Sequence, residues 1–232
     1  MQHEYIKKIL SSKVYDLAVE TPLAEAANLS TRFQNNIYVK REDLQSVFSF
    51  KLRGAYNKMV QLSDEEKAKG VVCASAGNHA QGVAMSAKFL NIEATIVMPT
   101  TTPEIKVNSV RARGGNVVLF GDAFDEACKH AYELQEQHGM TFIHPYDDPE
   151  VIAGQGTVGM EIMHQFSGDL DAVFVPVGGG GLAAGVAIYI KYLSPNTKVI
   201  AVESDESACL ELAMKTGKRQ ILPEVGIFAD GV

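Results

Sequence analysis

The chain has 232 residues, of which 46% are hydrophobic and 21% are charged, a composition typical of globular proteins. Its net charge of −7 and its pI near 5.4 oppose binding to a polyanion, so no nucleic-acid partner is expected. The first 17 residues mix lysines with acidic residues and contain no long apolar run. This predicts neither a signal peptide nor a membrane segment there, and we expect a cytoplasmic protein.

The cysteines and histidines show no spacing typical of a disulfide framework or a metal site. Cys73, Cys128 and Cys209 are far apart and odd in number, so reduced thiols are expected. The 6 histidines form no H-E-x-x-H or comparable arrangement. No metal is therefore predicted.

The N-terminal part of the chain predicts short elements followed by one well-marked helix. A short helix is predicted around residues 6–10, a turn at Thr21-Pro22, and a strand at residues 37–39. The next helix begins at Lys51. Its apolar side chains recur at helical spacing and form one face: Leu52, Ala55, Tyr56 and Met59.

From residue 71 onward, short apolar runs alternate with helical patterns. The predicted strands are 71–74, 94–98, 117–120, 141–143, 173–177 and 199–202, and a last helix is predicted at 206–217. Helices that separate short apolar strands favour parallel sheets covered on both faces. The sequence therefore predicts an α/β fold.

Lys51 stands in the first turn of its helix, directly after an aromatic and small-residue run. The positive end of the helix dipole and apolar neighbours both favour the neutral amine over the ammonium. A neutral amine is a nucleophile for carbonyl carbon and can form a Schiff base. The alternative is a surface lysine whose amine extends into water.

Four consecutive glycines, Gly178 to Gly181, separate a predicted strand from a predicted helix. Because glycine has no Cβ atom, the backbone N–H groups at this helix start are accessible, which favours binding of a phosphate. One alternative is a tight turn without a ligand. Another is a dinucleotide site, because Gly178, Gly180 and Ala183 match G-x-G-x-x-A and Glu203 ends the next strand. Pro176 is unusual for the central strand that such a site requires.

A second strand-to-helix turn spans residues 75–79, Ser-Ala-Gly-Asn-His. Its small residues expose backbone N–H groups and the Ser75 hydroxyl at a helix start, an arrangement that suits a carboxylate. The alternative is helix capping by Ser75 or Asn78 without a ligand.

Four stretches in one order, 49–55, 75–82, 152–157 and 178–182, resemble the catalytic domain of the pyridoxal-phosphate-dependent threonine dehydratases. The resemblance spans about residues 5–232. It implies the fold shared with the tryptophan synthase β subunit, pyridoxal-phosphate fold type II. Residues 202–210 and 223–232 resemble the biosynthetic branch of this family most.

The resemblance implies two domains with parallel-rich sheets flanked by helices. Residues 51–153 are expected to form the smaller domain, which carries the substrate-carboxylate loop. Residues 1–50 and 154–232 are expected to form the larger, cofactor-phosphate-binding domain, incomplete at its C-terminal end because relatives continue into further catalytic and regulatory segments.

The resemblance also implies roles for individual residues. Lys51 is expected to hold pyridoxal 5′-phosphate as an internal aldimine, with Phe50 beside the ring and Asn78 hydrogen-bonded to the 3′ oxygen. The substrate carboxylate is expected at Ser75, Gly77 and His79. The loop expected to bind the cofactor phosphate comprises Gly178, Gly179, Gly180, Gly181 and Leu182.

The implied reaction is deamination of L-threonine to 2-oxobutanoate and ammonia, the first step of isoleucine biosynthesis. The freed Lys51 amine would remove the Cα proton, and the β-hydroxyl would leave as water. The alternatives are a catabolic serine/threonine dehydratase that also accepts L-serine, a dinucleotide-binding protein, and an inactive truncated fragment. The full-length protein is expected to be a homo-oligomer.

Two positions depart from the related serine racemases. Those racemases carry a serine, assigned as the acid on the opposite face, where this chain has Ala76. Racemisation is therefore disfavoured. They also bind a cation through a glutamate at the position of Glu203 and an aspartate at the position of Cys209, so no comparable metal site is expected here.

Overall fold

The computed structural model describes residues 2–222 together with Gly226 and Ala229; most of the 223–232 stretch therefore lies outside the described residues. The α-helices are α1 (Gln2–Leu10), α2 (Ala27–Phe33), α3 (Lys51–Val60), α4 (Asp64–Lys69), α5 (Asn78–Leu90), α6 (Glu104–Ala112), α7 (Phe124–His138), α8 (Pro149–Gln165), α9 (Gly181–Leu193) and α10 (Cys209–Thr216). The strands are β1 (Leu23–Glu25), β2 (Tyr38–Lys40), β3 (Val71–Ala74), β4 (Ala94–Met98), β5 (Asn116–Leu119), β6 (Thr141–Phe142), β7 (Ala172–Pro176) and β8 (Lys198–Val202).

A four-stranded parallel sheet in the order β5-β4-β3-β6 forms the centre of the middle part of the chain. The two central strands, β3 and β4, are buried along their whole length. Their side chains alternate between two cores, as the two-residue period of a strand requires. Cys73 and Ile96 pack against α3, α5 and α6, whereas Val72 and Val97 pack against α7. This confirms the prediction of a parallel sheet covered on both faces.

A second parallel pair, β7 and β8, lies against α8 and α9. Among the described strands β7 pairs only with β8, so its other edge is free of backbone hydrogen bonds. Proline, which has no N–H, is tolerated at such an edge, and Pro176 ends the strand there. The described part of the chain contains no helix long and apolar enough to cross a membrane.

Two local predictions are corrected by the structure. The strand predicted at 37–39 lies at Tyr38–Lys40 and pairs antiparallel with β1, a partner too short to give a period-two pattern. The single helix predicted at 206–217 is divided into a 3₁₀ turn at Asp205–Ser207 and α10. The domain division at residues 51 and 153 stays a prediction.

The second residue after Lys51 on α3 is a fully buried arginine. Arg53 donates to Glu161 on α8 at 2.5 Å and to Glu42 at 2.7 and 2.8 Å. Lys40 of β2 pairs with Glu161 at 2.5 Å, so two positive groups meet two carboxylates. Burial lowers the pKa of Arg53, but its bonds to Glu42 and Glu161 outweigh that and raise it overall.

These ion pairs join α3 to α8 and to the segment around β2 by charge-assisted hydrogen bonds, the stronger class of such bonds. Arg53 also donates to the Thr157 hydroxyl of α8 at 3.1 Å. A network with all its donors and acceptors paired has one favourable geometry. These contacts with α8 and with the segment around β2 therefore fix the position of the N-terminal turn of α3.

Replacing Arg53 by methionine tests this network. Arg53→Met removes the guanidinium from Glu42 and from the buried Glu161, which keeps Lys40 as a charged partner, and we expect a loss of about 3–5 kcal/mol of unfolding free energy. Urea denaturation followed by circular dichroism measures it. Arg41→Met is the matched control, because Arg41 pairs with Asp43 on the surface and its loss should change stability little. Equal effects of the two variants would contradict the assigned role.

Candidate active site

A cleft of about 700 Å³ lies at the carboxyl ends of β3 and β7 and at the N-terminal ends of α3, α5 and α9. A volume of this size is typical of sites for small molecules. All eleven residues predicted for cofactor and substrate line it: Phe50, Lys51, Ser75, Gly77, Asn78, His79, Gly178, Gly179, Gly180, Gly181 and Leu182.

Lys51 is the first residue of α3, and its amine lies in the cleft. Nζ donates to the carbonyl oxygen of Pro145 at 2.9 Å and lies 5.5 Å from the centroid of the Phe50 ring. Burial lowers the pKa of Lys51 to about 8. The alternative of a lysine extended into water is therefore wrong, and much of the amine is neutral at moderately alkaline pH.

The Ser75–His79 turn brings the N-terminus of α5 to the cleft. Gly77 precedes the helix without a capping side chain, and its own N–H donates to the Ser75 hydroxyl at 3.2 Å. The first backbone N–H groups of α5 are therefore not taken by a side-chain cap, which favours the anion-binding interpretation of this turn over plain capping.

The His79 imidazole is not available to act as an acid, because it is neutral and bonded within the protein. It is buried, and its Nε2 lies 2.8 Å from the carbonyl oxygen of Ile143. Burial, and next the charge of Lys51, lower the pKa of His79 to about 3, so the ring is neutral and donates from Nε2. Any contact of His79 with a carboxylate would therefore be made by its backbone N–H.

The glycine run forms the N-terminus of α9. Gly180 has the left-handed conformation at φ +87° and precedes the helix without a side-chain cap. A Cβ on Gly179 would lie 2.1 Å from a ring carbon of Tyr146, and a Cβ on Gly181 would lie 2.7 Å from its carbonyl oxygen. Two of these glycines are thus required by a close approach of Tyr146, which the sequence did not reveal.

Gln155 on α8 also lines the cleft and was not assigned a role from the sequence. Its side chain is 1% exposed, and its Oε1 has no hydrogen-bond partner among the described residues. The amide lies over Gly54, where a Cβ would be 2.4 Å from Nε2. A buried, unpaired amide oxygen carries a cost of about 1–3 kcal/mol. A ligand or a water molecule in the cleft can supply the missing donor.

The acidic residue that the dinucleotide alternative requires, Glu203, already has other hydrogen-bond partners. Both carboxylate oxygens of Glu203 accept backbone N–H groups at the start of α10, from Leu210 at 2.8 Å and from Glu211 at 2.9 Å. Glu203 therefore stabilises a helix start and is not free to bind a ribose hydroxyl.

Comparison with known proteins agrees with this geometry. Residues 14–232 match the model of the family described as pyridoxal-phosphate dependent enzymes. The chain is 55% identical over 232 residues to the biosynthetic L-threonine dehydratase IlvA of Burkholderia multivorans, covering 99% of this chain and 46% of that protein. It is 59% identical to the chloroplastic biosynthetic threonine dehydratase of Arabidopsis thaliana, covering 99% and 39% respectively.

Solved structures show the same similarity in three dimensions. The processed form of threonine deaminase isoform 2 from Solanum lycopersicum superimposes with a TM-score of 0.97 at 57% identity, covering 100% of this chain and 67% of that one. Maize serine racemase gives a TM-score of 0.93 at 32% identity, covering 98% and 69%. The predicted fold type is thereby confirmed. The chain spans less than half the length of the two curated dehydratases it is compared with above.

The lowered pKa of Lys51 predicts unusual amine reactivity. At pH 7 a lysine with a pKa near 8 has on the order of a hundredfold more neutral amine than one with the ordinary value. Labelling with an acylating reagent, read by peptide mass spectrometry across pH 6–11, should give a midpoint near 8 for Lys51. A lysine-containing model peptide is the reference, and a Lys51 midpoint near 10 would contradict the lowered pKa.

The unpaired Gln155 amide predicts opposite effects on the free and the ligand-bound chain. Gln155→Met removes an unsatisfied polar group and should raise the unfolding free energy of the free chain by about 1–3 kcal/mol. It should weaken pyridoxal-phosphate binding about tenfold. Denaturation and fluorescence titration measure the two effects.

Gln45→Met is the matched control for this pair of measurements. Gln45 is equally buried, but its amide exchanges two hydrogen bonds with the backbone of Val19, at 3.1 and 2.8 Å. Its replacement should therefore destabilise the chain. Destabilisation by Gln155→Met as well would argue against an unpaired amide.

Proposed function

The chain belongs to the family of pyridoxal-phosphate dependent enzymes, and we propose that it is catalytic sequence of a biosynthetic threonine dehydratase. The reaction is the conversion of L-threonine to 2-oxobutanoate and ammonia, the first step of isoleucine biosynthesis. The observation that carries this proposal is the Lys51 amine of lowered pKa in a cleft faced by two uncapped helix N-termini. The 55–59% identity to biosynthetic dehydratases supports the choice of substrate.

The residues of the cleft fit pyridoxal 5′-phosphate. The glycine loop before α9 offers backbone N–H groups to a phosphate, and a Lys51 amine with its pKa near 8 suits a carbonyl carbon. The orphaned Gln155 oxygen supplies an acceptor for a ligand. When bound, the cofactor supplies an electron sink that stabilises negative charge at the substrate Cα.

Each predicted residue has a proposed task in this arrangement. Gly178 to Leu182 bind the cofactor phosphate at the start of α9, and Phe50 packs beside the cofactor ring. Asn78 donates to the 3′ oxygen from the first turn of α5. Ser75, Gly77 and the backbone of His79 bind the substrate carboxylate: the Ser75 hydroxyl and the His79 N–H donate to it at the uncapped start of α5, and Gly77 leaves open space beside them.

Lys51 performs the proton transfer in the proposed reaction. Its amine must be neutral to accept the Cα proton, and the burial that lowers its pKa increases that form. Ala76 lines the cleft and has no group that could give a proton to the opposite side of Cα. The chain therefore favours elimination of the β-hydroxyl over racemisation.

Two further proposals follow from the resemblance. A cytoplasmic location and a homo-oligomeric full-length protein are expected of such an enzyme.

The second candidate function is a serine/threonine dehydratase of the catabolic type, since one methyl group in a pocket changes discrimination by only about 1–3 kcal/mol. An inactive fragment is the third, because the chain spans under half of its dehydratase relatives.

Removal of the Lys51 amine tests the proposal. We expect Lys51→Ala to lose at least about a hundredfold in threonine turnover, because general-base catalysis alone contributes roughly 10²–10⁴. Borohydride should fix pyridoxal phosphate to the Lys51 peptide of the unsubstituted chain, as seen by mass spectrometry. Lys69→Ala, which removes an exposed lysine of α4, is the control and should leave both readouts unchanged.

Three results would separate the candidates. Turnover by Lys51→Ala at the control rate would refute the base assignment. Borohydride trapping without turnover of threonine would favour the inactive fragment. Equal kcat/KM for L-serine and L-threonine would favour the catabolic type.

A further inference from the structure

The turn that follows β6 is held by one imidazole. The Nδ1 atom of His144 lies 3.2 Å from the backbone nitrogen of Tyr146 and 2.7 Å from that of Asp147. Both partners are N–H donors, so Nδ1 must be the acceptor and carry no proton. The geometry therefore requires the neutral imidazole with its proton on Nε2.

The same turn contacts both Lys51 and the glycine loop, which lie on two sides of the cleft. The carbonyl oxygen of Pro145 accepts from Lys51 Nζ at 2.9 Å. The Tyr146 ring lies against Gly179, and the Tyr146 backbone lies against Gly181. The His144 and Tyr146 rings meet edge to face with centroids 4.6 Å apart. One imidazole thus orders a turn that contacts the lysine and the glycine loop together.

We propose that His144 is a positioning residue for Lys51, and that its unprotonated Nδ1 holds the 145–147 turn so that Pro145 and Tyr146 stand between the lysine and the glycine loop. The proposal deepens the proposed function, because the site it serves is the lysine and phosphate site assigned above. His144 is not required to touch substrate or cofactor. It acts through the backbone of the turn.

Protonation of His144 removes the acceptor and releases the turn. Burial is the main cause that lowers the pKa of His144 below its usual value, so the neutral form persists to mildly acidic pH. The holding contact is complete above pH 6.5 and is lost as the pH falls through that lowered pKa. The charged and titratable groups that act on His144 are Asp147 and Asp148 of its own loop, Arg219, Lys51 of α3 and His79 of α5.

Two amide replacements separate the acceptor from the ring. In His144→Asn the side-chain oxygen can take the place of Nδ1, and it does not titrate. In His144→Gln the oxygen stands one methylene further out, near the place of Nε2, and cannot serve the same two N–H groups. Asparagine should therefore restore the turn at every pH, and glutamine should not.

The first readout needs no cofactor. Long-range ¹H–¹⁵N correlation spectra of the unsubstituted 232-residue chain distinguish a protonated from an unprotonated ring nitrogen. We expect an unprotonated Nδ1 and a protonated Nε2 for His144 at pH 7.5. A protonated Nδ1 at that pH would overturn the proposal whatever the variants do.

The second readout is the dissociation constant of pyridoxal phosphate from pH 5 to pH 8.5. Protonation of Lys51 should weaken binding in every chain as the pH falls, and the unsubstituted chain should lose further affinity below pH 6.5 that His144→Asn does not lose. His144→Gln should bind about tenfold more weakly at pH 7.5. Identical pH profiles for the unsubstituted chain and His144→Asn would overturn the proposal.

The third readout separates this proposal from the proposed function. The rate of Lys51 acylation in the chain without cofactor should change in His144→Gln and be restored in His144→Asn. That pattern supports the positioning role even if no variant turns over threonine. Equal acylation in all three chains would overturn it even if threonine is turned over.

Discussion

The common direction of the parallel strands is the constraint from which the site arises. Strands β3, β6 and β7 run the same way within their sheets, and the segment after each contributes to one cleft. Those segments are the Ser75–His79 turn, the His144–Asp148 turn and the glycine loop. Helices α5 and α9 follow the first and the last of these segments, so their N-termini face the cleft and favour anions there, whereas the start of α8 is capped by Asp148.

Lys51 reaches this space from a different direction, since α3 does not follow a strand of either parallel sheet. Its position depends on α3 being seated between the four-stranded sheet and α8. The apolar face of α3 packs on the sheet, and Arg53 on the same helix meets Glu42 and Glu161 in a buried network. Burial lowers the pKa of the Lys51 amine, whereas at Arg53, two residues away, the carboxylates of Glu42 and Glu161 outweigh the same effect and raise the pKa.

The elements predicted best are those whose burial requires a continuous or regularly spaced run of apolar residues in the sequence. The apolar run Ala94–Met98 is buried throughout and was predicted with its observed ends. The strand at Leu23–Glu25 has three residues and no alternating pattern, and only its antiparallel partner makes it a strand. The helix predicted at 206–217 begins later than predicted, where Glu203 accepts the N–H groups of residues 210 and 211 from outside the helix.

The sequence by itself predicted the α/β class, because alternating strands and helices leave local patterns, and its resemblance to the threonine dehydratases supplied the cofactor family and eleven of the residues that line the cleft. Only the tertiary structure decided which groups are left without partners and which are used up. Gln155 Oε1 has no partner within the described part of the chain, His144 holds a turn with one nitrogen, and the Glu203 carboxylate accepts N–H groups at the start of α10. Hydrogen-bond satisfaction depends on groups brought together from distant parts of the chain, so no local pattern records it.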